Sequence, residues 1–333
     1  MSKLTMRVRI LGAAVLVGFS VPSYAQRITS FDAPGAASTF AVAINSGGAV
    51  AGSYSDAAGR THSFLRDKTG GITSFDVAGS TSTTAQAINY LGQIVGYYTD
   101  QAHAPHAFLR DASGTITSFD VAGAIGTTAQ GINRVSQIAG DYTDTASHVH
   151  GFLRNADGTI TKFDVAGSTG TFALGINSSG QVVGYYTDSA SRAHGFLRRS
   201  NGAVTTFDPP GSSGTFAIAV NSEGLIAGYY SDSGGSAHGF LRQSNGTITS
   251  FDVSGSFITV ALSDNADGEV AGSYADTAFR AHGFFRAATG AITSFDPHGS
   301  TGTLAYSISS NGAISGSYTD SAAVLHGFLR AGD

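Results

Sequence analysis

The chain has no cysteine, which excludes disulfides, thiol nucleophiles and cysteine-based metal sites. Charge is also scarce. Asp, Glu, Lys and Arg make up 12% of the 333 residues, against roughly 25% in an average soluble protein. Long amphipathic helices need charged and strongly helix-forming residues on their wet faces, so the composition argues against them. Beyond the N-terminus no segment has 18 consecutive apolar residues, and nothing there reads as a transmembrane helix. Basic residues are few and scattered. Stability has to come from packing and from the way the architecture closes on itself.

Glycine is abundant instead, at 45 residues, about twice its usual share of ~7%. Much glycine with little charge points to short strands joined by tight turns. The first 25 residues read differently. Lys3, Arg7 and Arg9 form a basic start, Ile10 to Phe19 is a short apolar run, and Ser23-Tyr24-Ala25 has the small residues of a signal peptidase site. Residues 1–25 are expected to be a signal peptide, cleaved after Ala25, with export to the periplasm or beyond. That segment carries three basic residues and no acid, so 15 basic and 23 acidic residues remain, a net charge of −8. Such a chain is a poor binder of nucleic acid.

A repeat governs the rest. Asp-x5-His occurs at Asp56/His62, Asp100/His106, Asp144/His150, Asp188/His194, Asp232/His238, Asp276/His282 and Asp320/His326, always 44 residues apart. The same period carries Phe31-Asp32 through Phe295-Asp296, and Gly52 through Gly316, each glycine two residues before a Tyr. Seven repeats, starting at 28, 72, 116, 160, 204, 248 and 292, fill the sequence without insertion. Repeat 4 offers a fourth-type strand at 159–164, then strands at 171–177, 181–187 and 194–198, with turns rich in Asn, Ser and Gly. Four strands in 44 residues match a propeller blade of ~40–45 residues.

Alternate positions of the first strand are small in every copy, as in Ala173/Gly175, which suits strands crowded round an axis. The chain begins with a lone fourth strand and ends with a lone third strand. The expectation is therefore all-β: a single domain over 26–333, a seven-bladed β-propeller closed by the N-terminal strand pairing with the C-terminal strand. An open seven-unit solenoid is the competing architecture.

The third strand reads His106-Ala107-Phe108 in repeat 2, His62-Ser63-Phe64 in repeat 1 and His-Gly-Phe in the others. With Phe-Asp-x-x-Gly and Gly-x-Tyr, this resembles the bacterial extracellular HAF-repeat family over essentially all of residues 28–330. The resemblance implies export and a repeat fold, and it brings no activity with it.

The repeat also decides how the candidate sites are read. A catalytic site needs unlike residues converging on one substrate, whereas the Asp-x5-His pairs are alike and dispersed. They read as structural signature, a hydrogen bond clasping the loop between strands two and three. The third-strand Arg residues, Arg66 through Arg330, are expected to pair across a hairpin with the Phe-Asp carboxylates. No catalytic constellation, P-loop or dinucleotide fingerprint is present, and no cofactor is implied. Asp-x-x-Gly turns such as Asp111–Gly114 lack the spacing of a calcium loop, and the Asn265–Gly268 turn accounts for two positions of the densest acidic cluster, Asp264, Asp267 and Glu269, so no metal is expected.

Loops after strands two and four are expected to be the longer ones and to share a face, the default binding surface. Most copies place Ser, Thr, Ala and Gly in these loops, and repeat 6 departs: Phe257-Ile258 replaces Thr-Gly, and Phe279-Arg280 follows Asp276. Phe257, Phe279 and Arg280 are the binding candidates, an aromatic platform for an extracellular glycan or protein, unless the two rings simply cover each other. The leading reading is an exported, non-catalytic binding or scaffold module. The rivals are a hydrolase or lyase at the central channel, where Gln86 and Gln130 interrupt small and apolar positions, and a purely structural envelope or matrix protein.

Overall fold

The computed structural model describes residues 27–332; the expected signal peptide lies outside them. Among the described residues there are 28 strands and no helix. One repeat shows how they arise. Gly170–Ile176, Val182–Thr187 and Ala193–Arg198 form an antiparallel meander, and Val204–Phe207 of the next repeat adds the fourth strand. Sheets are thus offset from repeats by one strand. The last three strands, Gly302–Ile308, Ile314–Thr319 and Leu325–Arg330, receive their fourth from the other end of the chain: Ile28–Phe31 pairs with Gly327–Arg330. Single parallel pairs, such as Val149↔Gly170 and Ser38↔Leu325, link some neighbouring sheets.

The five-residue turns after the first and second strands share one chemical device. In 177–181, Asn177 Oδ1 accepts the N–H groups of Ser179 and Gln181. In 188–192, Asp188 Oδ1 accepts those of Ala190 and Arg192. An Asn or Asp at the first position nucleates the loop because its side chain can reach back to the backbone two and four residues on. The loop after strand two is therefore as short as the turns at the opposite end, contrary to the expectation that it is longer. Only the loop after strand four, 164–169, has one residue more.

Glycine at the centre of the second strand makes room for the core. A Cβ at Gly184 would overlap the Phe172 carbonyl oxygen and press on the Phe196 ring at 3.1 Å. The third-strand phenylalanines, Phe64, Phe108, Phe152, Phe196, Phe240, Phe284 and Phe328, are wholly buried, each worth about 1.5–3 kcal/mol of transfer from water. Each meets the fourth-strand Phe of the sheet before it edge-to-face, as in Phe163–Phe196 at 6.1 Å. Backbone cannot yield as a flexible side chain can, so Gly184→Ala is expected to cost about 3 kcal/mol. Urea unfolding of the variant, read against wild type, checks this.

Arg198 lies over the Phe163 ring at 4.9 Å, and six other third-strand Arg residues stack likewise. This corrects the expected Arg–Asp ion pair. The hairpin register pairs Arg198 with Val204 and Gly195 with Phe207, so Asp208 falls at the opposite end of the strand, beside His194. The guanidinium serves as a lid on the neighbouring sheet's Phe, and its Nη1 donates to a backbone carbonyl, Arg199 O in this repeat.

Candidate functional site

The Asp-x5-His residues are brought together in all seven repeats, and each His has a second partner. His194 Nε2 lies 3.3 Å from Asp188 Oδ2, and Nδ1 lies 2.7 Å from Asp208 Oδ2. The same holds for His62, His106, His150, His238, His282 and His326, with fourth-strand Asp at 2.7–3.0 Å. The ring also stacks on a second-strand Tyr, as in Tyr186–His194 at 5.1 Å. The pair read from sequence is one half of an Asp–His–Asp clamp. The Phe-Asp motif, repeating at the same period, carried the missing half.

With a carboxylate at each ring nitrogen, only the doubly protonated imidazole can donate to both. Burial alone would lower the histidine pKa. The hydrogen bonds to the two carboxylates outweigh it, holding His62, His106, His150, His194, His238 and His326 above their ordinary value. The loop carboxylates move the other way. At Asp144 the His148 backbone N–H leads, with the His150 hydrogen bond behind it, and the pKa falls to about 2 against the opposing effect of burial. Clamps of this kind hold loops; in two of them a buried hydroxyl also donates to the fourth-strand carboxylate, Thr215 to Asp208 and Thr303 to Asp296.

Phe257 and Phe279 do meet, ring centroids 5.6 Å apart and edge-to-face. The pair stays open to water, since Phe279 is 73% exposed. Phe279 also sits at φ 60°, in the left-handed region, where the equivalent loops carry Gly59, His103, Ser147, Ser191, Gly235 and Ala323. A bulky side chain is uncommon there. Arg280 is engaged elsewhere: its Nη2 donates to Ser300 O at 2.7 Å, as Arg60 does to Ser80 O and Arg192 to Ser212 O. It ties one repeat to the loop of the next and is not peculiar to repeat 6.

Between the first strands lie two cavities of about 360 Å³ each, which share Ile132, Ile176, Val220 and Asp264. One is bordered by the turns after the first strands. There Asn177 Nδ2 donates to Asn221 O, 44 residues on, at 2.9 Å. The same link runs from Asn45 to Asn89, Asn89 to Asn133, Asn133 to Asn177, Asn221 to Asn265 and Asn265 to Ser309. Read from sequence, Asn177 is only a turn residue; its amide also joins consecutive sheets. In the last repeat Ser309 stands in place of Asn, and its Oγ turns to Ala313 O.

The other cavity is lined by Gln86 and Gln130, as anticipated, and also by Tyr306, Ser263 and Ser307. Gln130 Nε2 donates to Asp141 Oδ1 and Thr128 Oγ1 donates to Asp141 Oδ2, so this buried carboxyl is answered. Burial nonetheless raises its pKa. Asp264 has no such answer: both its oxygens are buried and neither finds a hydrogen-bond partner. Burial pushes its pKa well above the ordinary carboxylate value. The structure does not bring the sequence's acidic cluster together. Asp267 and Glu269 line a different, smaller cavity with Phe285 and Asn311, and among the described residues no three His, Asp or Glu side chains could hold one metal ion.

No family model and no curated protein matches the sequence. The structure, in contrast, is similar to solved β-propellers. A catalytically inactive virginiamycin B lyase from Staphylococcus aureus aligns at TM-score 0.63 and 13% identity, over 91% of this chain and 99% of that one. The β-propeller domain of the Trilobed protease from Pyrococcus furiosus, described as having an open velcro topology, aligns at 0.63 and 8%, over 89% and 96%. The BP39L lectin from Burkholderia pseudomallei aligns at 0.58 and 12%, over 90% and 98%. At such identities the likeness speaks for fold alone: the chain is an all-β protein of repeated sheets of the β-propeller type.

Proposed function

We propose that this is an exported HAF-repeat protein whose single domain is a closed seven-bladed propeller, and that it works as a non-catalytic binding module. It takes an extracellular glycan or protein on the face bearing the Asp–His–Asp loops, at Phe257 and Phe279. The observation that carries this is Phe279. The fold has no use for a bulky apolar residue there: it is exposed, it occupies a left-handed backbone position, and the sister repeats place Gly59, His103, Ser147, Ser191, Gly235 and Ala323 there, none of them a large apolar side chain. A group that costs conformational energy and gains little burial is the mark of a contact made with something else. Closure is supported by the pairing of Ile28–Phe31 with the last strand. It is also supported by Ser317 Oγ, which donates to Thr39 O across the same junction.

Screening the mature chain on a glycan array and in pull-downs tests the reading. Phe279→Ala and Phe257→Ala are each expected to weaken the ligand found by tenfold or more. Phe279→Gly is expected to do so while stabilising the fold by about 1 kcal/mol, the cost of the left-handed position. Binding unaltered in all three variants overturns it. A second reading, a hydrolase or lyase in the cavity between the first strands, draws support from the unlike groups Gln86, Gln130, Asp264 and Tyr306 lining it. Turnover that survives the Phe variants and is lost on cavity substitutions would replace the first reading with this one.

A further inference from the structure

Aligned on the 44-residue period, Asp264 falls under Ile44, Ile88, Ile132, Ile176, Val220 and Ile308. Six repeats thus close the waist between the two cavities with a branched apolar side chain, and one closes it with a carboxyl. Both oxygens are shielded from water and unpartnered. The backbone N–H groups of Asp264 itself and of Asn221 lie toward the carboxyl and partly oppose the effect of burial, but neither meets it in hydrogen-bond geometry, and the Asn221 N–H donates to Leu225 O. An unanswered buried polar group normally costs about 1–3 kcal/mol, and here no cationic side chain stands close enough to pair with it. The walls around it supply hydrocarbon: Leu174, Ile218 and Leu262 on one side of the waist, the isoleucines on the other. Apolar walls with one polar group of fixed kind, at a volume of a few hundred Å³, have the make-up of a small-ligand site.

We propose that the cavity between the first strands binds an aliphatic ammonium compound, whose cationic head pairs with Asp264 and whose hydrocarbon body lies along the Leu and Ile walls. The carboxyl reaches the head by turning about its Cα–Cβ bond out of the wall. A cation with an apolar tail answers both features at once. A neutral alcohol answers only the walls, and a bare metal ion only the charge. The other ionisable side chains lining the two cavities are Tyr306, near the middle, and Tyr90 and Arg134 at the outer turns. Arg134 is held over the Tyr90 ring at 4.6 Å. This site is separate from the loop-face reading and stands or falls without it.

The experiment is calorimetric titration of the mature chain with n-hexylamine, and with hexan-1-ol as the neutral probe, at pH 6 in two buffers of different ionisation enthalpy. The amine is expected to bind one per chain, at least tenfold tighter than the alcohol. Because burial favours the protonated carboxyl and the amine pairs with the ionised one, binding of the amine should release protons, seen as a buffer-dependent heat. Asp264→Ile installs the residue that five other repeats use and is expected to keep the near-ultraviolet circular dichroism of wild type. It should reduce amine affinity at least tenfold, leave the alcohol unchanged and abolish proton release; Asp264→Asn should do the same to the amine. Equal binding of amine and alcohol, no measurable amine binding, or amine binding untouched in both variants overturns the proposal.

Discussion

Raising the pH from about 6 to 9 is expected to lower the melting temperature by roughly 2–12 °C, a loss that reverses on return to acid. The cause is the set of Asp–His–Asp clamps. A histidine whose folded pKa lies above the ordinary 6.5 holds its proton more tightly in the folded chain than in the unfolded one. Its stabilisation is fully present below 6.5 and is lost as pH rises through the raised folded value. Six clamps shift this way. At about 0.2–1 kcal/mol for each partly exposed pair, they contribute about 1–6 kcal/mol together. For a chain this long that converts at about 2 °C per kcal/mol.

The loop carboxylates set the opposite limb. Their pKa values are lowered, so their share is present above 3.8 and fades as pH falls through the depressed values, about 2 for Asp144. Asp264 and Asp141 act against the plateau. Both are raised by burial, so their effect is to lose stability as pH rises above 3.8. They are two groups against six clamps, and Asp264→Ile isolates one of them. Calorimetry at pH 4.5, 6, 7.5 and 9 in low salt checks the profile. Asp208→Asn should remove one clamp's share of the alkaline loss. A melting temperature flat from pH 6 to 9 would mean that the histidines are neutral and clasp through one nitrogen only.

What the sequence made legible was whatever the period repeats. The strands, the Gly-x-Tyr and Phe-Asp motifs and the Asp-x5-His clasp all recur seven times, and comparison of copies exposes them without a structure; that the glycine makes room for the third-strand Phe needed the structure. Register was harder to read. The Arg and Asp of one hairpin look like partners on paper, yet antiparallel pairing sends Asp208 to His194 and leaves Arg198 over Phe163 of the neighbouring sheet. Contacts between sheets were hidden for a similar reason: Asn177 meets Asn221 only because equivalent turns of consecutive repeats abut. Phe257 and Phe279 were visible as departures from the repeat, and their mutual contact follows from lying on adjacent loops of one face. Asp264 was visible too, but linear spacing grouped it with Asp267 and Glu269. Its column in the repeat, filled elsewhere by Ile or Val, is what assigns it to the cavity.

The largest single effect is expected from removing residues 26–33, which is predicted to lower the melting temperature by more than 15 °C or leave the chain unable to fold. Eight residues out of 333 would ordinarily matter little. These carry the strand Ile28–Phe31, which supplies the ladder partners of Gly327 to Arg330. They carry Phe31, whose ring meets Phe64 edge-to-face at 6.0 Å and lies beneath Arg66 at 4.9 Å. They also carry Asp32, 2.9 Å from His326 Nδ1. One short strand therefore serves two sheets at once, the last by hydrogen bonds and the first by packing. In a closed ring its loss frees the sheet edge of Leu325–Arg330 and strips the cover from Phe64. It leaves the ends joined by little more than the Ser38↔Leu325 pair and the Ser317 Oγ bonds to Thr39 O and Ala41 N, a seam too small to keep the remaining sheets from opening into an array. In an open solenoid the same deletion removes one end cap, about 2–3 kcal/mol of Phe burial, or some 5 °C at about 2 °C per kcal/mol. Calorimetry of the truncated chain separates the two. A synthetic peptide of residues 26–37 added in trans should restore much of the lost stability if the ring is the native form, because it replaces the missing strand without touching the rest. A fall of only about 5 °C, with no response to the peptide, would exclude the ring in favour of the solenoid.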